Sequence, residues 1–232
     1  MEAEVRAVDS DREPNFLLAR WEKRLLRAIA GRLPRFILPD DLSALGVLSA
    51  AGIFTAYVLS NGNPAWLWLA SVLLVVHWLG DSLDGTLARV RGIQRPRYGY
   101  YLDHLVDAVS TVLIGIGLGL SPYMLLSVGA VIVVAYLVLS INVYLESQAL
   151  GRFSIGYGRL GPTEARLGLI ALNTVLVLTG GGGLQVLGTH VSALDLAGIA
   201  AACALVALGG ARAATNLREL SAAEPAAARG GS

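Results

Sequence analysis

Apolar residues along the chain gather into six runs, at about 42–60, 65–88, 99–120, 122–147, 163–180 and 190–211. Each run approaches the roughly 20 helical residues that cross a hydrocarbon layer about 30 Å thick. The connections alternate between very short turns, "NGNP" at 61–64, "SP" at 121–122 and "GGGG" at 180–183, and longer basic segments. Ahead of the first run, "FLLARWEKRLLRAIAGRLPRFILP" at 16–39 interleaves Leu, Trp and Ile with Arg and Lys at helical spacing. That is the pattern of an amphipathic helix lying in a membrane interface; a solvated helix packed on the chain's own loops is the alternative. The predicted fold class is therefore all-α integral membrane: six transmembrane helices preceded by an interfacial amphipathic helix. The predicted organisation is a disordered N-terminus at 1–13, the amphipathic helix at 14–38, a six-helix domain at 39–213 and a disordered tail at 214–232.

Composition agrees. The 232 residues are 55% hydrophobic, with a mean hydropathy of +0.61, too oily for an ordinary soluble domain. The one cysteine, Cys203, excludes a disulfide framework or a thiolate metal site. A net charge of +1 does not bear on nucleic acid by itself, and none is expected as a partner. The placement of charge says more. Of the 18 Lys and Arg, eight precede residue 41, four lie between 89 and 97, three between 152 and 166, and three follow 211. All fall on one side of the predicted membrane, which the positive-inside rule makes the cytoplasm, with both termini in it. No cleavable signal peptide is expected in the polar first thirteen residues. The predicted location is the bacterial inner membrane.

Against this background "HWLGDSLDGTLARVRGIQRPRYGYYLDHLVD", at 77–107, carries four aspartates: Asp81, Asp84, Asp103 and Asp107. A charged side chain at a bilayer centre costs roughly 3 kcal/mol or more, so these carboxylates call for compensation. Two lie near the end of the second span and two near the start of the third, at one depth on the cytoplasmic side. Spacings of three and four residues stack each pair on one helix face. Two facing pairs make a four-carboxylate pocket whose repulsion is relieved by protons or divalent cations. Oxygen donors without Cys or His favour Mg²⁺, Mn²⁺ or Ca²⁺ over zinc. The competing structural reading pairs the acids with the loop arginines Arg89, Arg91, Arg95 and Arg97. Gly85 and Ala88 strip bulk from the helix beside Asp84, and Arg89 adds a fork suited to phosphate. Together these residues suggest phosphoryl transfer between one soluble and one lipid substrate.

Asp81, Asp84, Gly85, Ala88, Arg89, Gly99, Asp103 and Asp107 fit D-x2-D-G-x2-A-R-(8 or 9 residues)-G-x3-D-x3-D, with nine residues between Arg89 and Gly99. In this the chain resembles the CDP-alcohol phosphotransferases over nearly its whole length. The resemblance implies an alcohol attacking the phosphorus of a CDP-linked alcohol distal to cytidine, with release of CMP. It implies two Mg²⁺ or Mn²⁺ ions per active site held by Asp81, Asp84, Asp103 and Asp107, with Asp107 also the general base. Gly85, Ala88 and Arg89 would line the CDP pocket. "PDDLSALG" resembles the family's P-N-x-x-T, adding Pro39, Asp40 and Ser43, with Asp in place of Asn and Ser in place of Thr. A homodimer is also implied.

Acceptor contacts are expected from Arg152, Arg159, Glu164 and Arg166, on the same side as the aspartates; Glu164 can equally cap its helix. Tyr144 and Glu146 share that side. The expected donor is CDP-diacylglycerol and the acceptor a polar alcohol. A CDP-choline or CDP-ethanolamine transferase acting on diacylglycerol is the alternative, suggested by "DH" in "DHLVD" and by "GPTE". From other classes, an ion or proton-coupled transporter would want a counterpart to the aspartate cluster in the opposite half, where His190 and Asp195 are the only ionisable residues, and an aspartate-rich prenyltransferase lacks the Gly-Ala-Arg insert. Gly115 and Gly119 form a small-xxx-small face that lets two helices approach closely.

Overall fold

The computed structural model describes residues 19–151, 161–180, 183–186 and 189–224. In chain order these form α1 (Ala19–Ala30), α2 (Pro39–Leu59), α3 (Trp66–Arg91), α4 (Pro96–Gly119), α5 (Leu126–Leu150), α6 (Pro162–Thr179), β1 (Gly183–Val186), β2 (Thr189–Ser192) and α7 (Ala193–Ala223). Helices α2, α3, α4, α5 and α7 are long and apolar enough to cross a membrane. The predicted span at 163–180 is a helix, α6, but its 18 residues include Glu164, Arg166 and Asn173, and it is not one of those five.

Local chemistry sets the helix ends. Pro39 opens α2, where a missing N–H costs nothing, and the Asp41 carboxylate accepts the Leu38 N–H at 2.8 Å. Gly92 ends α3 in the left-handed region, at φ 66°. The amphipathic segment is helical over Ala19–Ala30 rather than to residue 38, because Gly31 and Pro34 follow. The four carbonyls of Leu33, Pro34, Arg35 and Ile37 accept bonds from the Arg91 guanidinium instead. Two further boundaries differ from the expectation. The stretch after Gly180 contains an antiparallel hairpin, with Val186 paired to Thr189, before a helix that starts at Ala193 rather than 190. That helix then runs through 214–223, which the sequence placed in the tail; its Ala, Leu and Arg residues are good helix formers and no proline intervenes before Pro225.

Packing joins α2 to α3 and α4, α4 to α5, α5 to α7, α3 to α6, and α1 to α3. One apolar core contains Ile53, Tyr57, Leu67, Leu74, Leu118, Met124 and Leu176. A smaller one joins Leu26 and Ala30 of α1 to Leu42, Leu83 and Leu87. The outer faces expose Trp68, Val72, Val134, Val138 and Ile141, a surface suited to lipid. Glycines set the tightest crossings. A Cβ on Gly80 would fall 2.7 Å from the Leu42 carbonyl oxygen and 2.9 Å from the Gly46 nitrogen, so the α2 and α3 backbones touch there. Likewise, a Cβ on Gly129 would stand 2.8 Å from the Gly115 oxygen and 3.1 Å from the Gly119 Cα. The Gly115/Gly119 face is thus used between α4 and α5 of the same chain.

Candidate active site

The start of α2, the end of α3 and the starts of α4 and α6 share one end of the bundle, and the predicted polar residues gather there. The Gly46–Gly80 crossing carries Ser43 against Asp84, whose Oδ2 accepts the Ser43 hydroxyl at 2.7 Å while its Oδ1 accepts the Gly85 N–H at 2.5 Å. Asp81, one turn earlier, accepts the Arg166 guanidinium at 2.6 Å. Across from them on α4, Asp107 lies in the field of Asp81, and Asp103 in the field of both Asp81 and Asp84. The two aspartate pairs therefore face each other, with Arg166 paired to Asp81 and Arg89 in the field of Asp84 and Asp103.

The carboxylates nevertheless do not form a ready-made metal cage: among the described residues no three Asp, Glu, His or Cys side chains converge on one point. Like charges at close quarters turn toward the nearest donors, here Arg166, Ser43 and the Gly85 backbone. The expected pocket of four convergent carboxylates is corrected to this extent. In donor chemistry the set still fits a hard divalent cation, because four carboxylates outnumber the one guanidinium that pairs with them.

The other expected residues divide. Gly85 makes room for the folded-back Arg89 guanidinium, whose Nη1 would lie 3.3 Å from a Cβ there, and Arg89 Nη2 donates to the Thr86 hydroxyl at 3.2 Å. Ala88 is half-buried beside it. Pro39 is the first residue of α2. Asp40 turns away from the aspartate pairs to form an ion pair with Arg95, which also lies over the Tyr98 ring at 4.0 Å. Arg91 and Arg95 are thus spent elsewhere, and the loop-arginine pairing does not describe Asp81, whose partner is Arg166. Glu164 caps α6, accepting the Gly161 N–H at 2.9 Å, and its other oxygen is buried without a partner among the described residues. Arg152 and Arg159 lie outside the described residues.

Sequence reasoning placed Glu146 on this side without its partners and missed Glu22 altogether. Glu146 is buried and accepts Arg212 Nε at 2.5 Å and Asn216 at 3.2 Å, so it ties α5 to α7. His77, 3% exposed, has no hydrogen-bond partner at either ring nitrogen among the described residues and lies in the field of Arg166 and Asp81. His104 stacks on Tyr100 at 4.1 Å and meets the Tyr144 edge at 4.6 Å, while its Nδ1 stands 2.7 Å from the Tyr100 carbonyl oxygen and 3.5 Å from Asp103 Oδ2. Glu22 of α1 reaches both α3 and α6. Its place three and four residues before Leu25 and Leu26, among Arg and Lys, was the available signal: a lone acid on a basic helix.

A family model described as CDP-alcohol phosphatidyltransferase matches residues 36–212. No curated protein matches the chain.

Proposed function

The chain belongs to the CDP-alcohol phosphatidyltransferase family, whose members are transferases of substituted phosphate groups in phospholipid synthesis, and from that premise we propose that it moves a phosphatidyl group from CDP-diacylglycerol to a polar alcohol. The observation that carries this reading is the meeting, at one end of an apolar bundle, of Asp84 with Ser43 and of Asp81 with Asp107 and Arg166. A transporter would want ionisable groups at the other end that are free to exchange. There Asp195 is 1% exposed, with one oxygen accepting the Leu125 N–H ahead of α5 and the other the Ser192 N–H at the start of α7.

Asp81, Asp84, Asp103 and Asp107 would hold Mg²⁺ or Mn²⁺, which when bound neutralises the diphosphate and stabilises the attacking and leaving oxygens. The remaining work falls to the chain. Asp107 takes the proton of the acceptor hydroxyl as that oxygen bonds to the phosphorus distal to cytidine. The bond from this phosphorus to the bridging oxygen breaks, and CMP leaves with that oxygen. Ser43 orients Asp84. Gly85 and Ala88 leave the α3 backbone open to the diphosphate, and Arg89, exposed at the helix end, swings onto it. Pro39 and Asp40 form the rim of the cytidine pocket, with Asp40 setting Arg95. Arg166 exchanges Asp81 for an anionic group on the acceptor, joined by Arg152 and Arg159. That exchange favours a phosphorylated polyol over serine.

In the same reading α6 is the sixth span, α1 lies in the interface with Trp21 and Leu25 toward lipid, and the aspartates and both termini face the cytoplasm of a bacterial inner membrane. The one-sided distribution of Lys and Arg supports this orientation, and the exposure of Trp21 and Leu25 supports the interfacial helix. A homodimer would use a face other than Gly115/Gly119. The test is CMP release by the purified protein in vesicles with Mg²⁺ or Mn²⁺. CDP-diacylglycerol is supplied with glycerol phosphate, inositol phosphate or serine, and CDP-choline with diacylglycerol. Acceptor-dependent CMP with a phosphorylated polyol is expected; CMP formed only from CDP-choline would overturn the choice of donor.

A further inference from the structure

Helix α1 does more than rest on the bundle. Its Glu22 carboxylate accepts the Trp78 indole N–H at 2.9 Å and the Ser82 hydroxyl at 3.4 Å, both from α3. It also accepts the Thr163 hydroxyl, which stands 3.1 Å from each of its oxygens, from α6. One side chain thus joins three helices that are far apart in sequence. Its neighbours make the arrangement specific: Ser82 adjoins Asp81, and Thr163 lies one helical turn before Arg166, the residue bonded to Asp81. Burial of Leu26 and Ala30 against Leu83 and Leu87 fixes α1 on the same stretch of α3.

The first turn of α6 has two ties to α3 at this end, Arg166 to Asp81 directly and Thr163 through Glu22. If Arg166 gives up Asp81 to meet an acceptor, the Glu22 tie is what remains. A charged hydrogen bond with three donors is stronger than a neutral one and holds its partners in a narrow range. A guanidinium on a long side chain works only if its backbone is held, since a displacement of about 1 Å can cost on the order of 100-fold.

We propose that Glu22 is a positioning residue, clasping the start of α6 to α3 so that Arg166 stays aimed at the carboxylate pocket, which makes α1 part of the acceptor site. The inference rests on the phosphatidyl-transfer reading for its kinetic consequence, but the clasp itself is physical and separately measurable.

The experiment compares the full-length wild type with Glu22→Ala, Glu22→Gln and Thr163→Val in vesicles. Amide hydrogen exchange is followed over residues 161–166, and the rate of CMP release is measured against glycerol phosphate. Exchange about 10-fold faster in Glu22→Ala and Thr163→Val is expected, with acceptor KM raised about 10-fold and kcat within about 3-fold. Glu22→Gln, which keeps an acceptor oxygen, should recover most of the loss. A double variant combining Glu22→Ala with Thr163→Val should be no worse than Glu22→Ala alone, because the second change removes a link the first has already removed. Unchanged exchange in Glu22→Ala would overturn the clasp, and faster exchange with unchanged KM would overturn its positioning role. A wild type that releases no CMP from any pair would overturn the functional reading, and the exchange data would still decide the clasp.

Discussion

The two ends of the bundle treat their polar residues in opposite ways. At the end where α2, α4 and α6 begin, charged groups pair across helices in contacts that other ligands can replace: Asp81 with Arg166, Asp84 with Ser43, Asp40 with Arg95. His77 and one oxygen of Glu164 are buried there without partners among the described residues. At the opposite end the polar side chains bond mainly to the backbone among the described residues. Asp195 accepts the N–H groups of Leu125 at 2.7 Å and Ser192 at 2.8 Å, and Ser192 donates its hydroxyl to the Tyr123 carbonyl at 2.8 Å. Asn61 donates its amide to Val58 and Leu120 carbonyls, each at 2.9 Å. Deeper in the bundle, Asn173, 0% exposed, joins Tyr57 to Ser71. Acidity alone therefore does not mark function in a membrane protein. What distinguishes a site is a carboxylate whose partner can leave.

Substitutions at the two ends should separate along that line. The largest effect belongs to Asp107→Asn, expected to slow turnover by about 100-fold or more, the range for loss of a general base, with an unchanged unfolding midpoint. Full turnover at saturating metal would remove Asp107 from that role. Next, Asp195→Ala should leave two buried N–H groups unpaired and cost about 2 to 3 kcal/mol of stability, read by thermal unfolding in detergent, with kcat for the remaining folded enzyme unchanged. Gly80→Ala should cost about 1 to 3 kcal/mol, because its Cβ meets backbone atoms of α2 that cannot rotate away. It sharpens the comparison, since separating α2 from α3 should also raise the donor KM. The smallest effect is Ser43→Ala, expected to raise the donor KM about 5-fold, or about 1 kcal/mol, through loss of its bond to Asp84.

Much of this was legible in the sequence, and what was missed has a common cause. The aspartates, Gly85, Ala88 and Arg89 stand at fixed spacings within two helices, so periodicity alone places them on common faces. Five of the six apolar runs announce their spans in the same way. Ser43 was named through the resemblance, though its contact with Asp84 spans 41 positions. The partners of Asp81, Glu146 and Glu22 lie 85, 66 and 141 residues away along the chain. No local pattern encodes such pairings; they follow from which helices pack together. The same reasoning covers Gly115 and Gly119, whose spacing permits a close crossing without saying which helix provides it. The hairpin at 183–192 was missed because its strands are only four residues each and sit between a glycine run and an apolar helix.

The most direct test of the account is acceptor-dependent CMP release, per mole of folded protein, from wild type, Asp107→Asn and Asp195→Asn side by side in metal-containing vesicles. The account predicts steady release from the wild type, near-complete loss in Asp107→Asn, and wild-type release from the fraction of Asp195→Asn that stays folded. Loss in Asp195→Asn with full release in Asp107→Asn would contradict it, since the chemistry would then lie at the wrong end of the bundle.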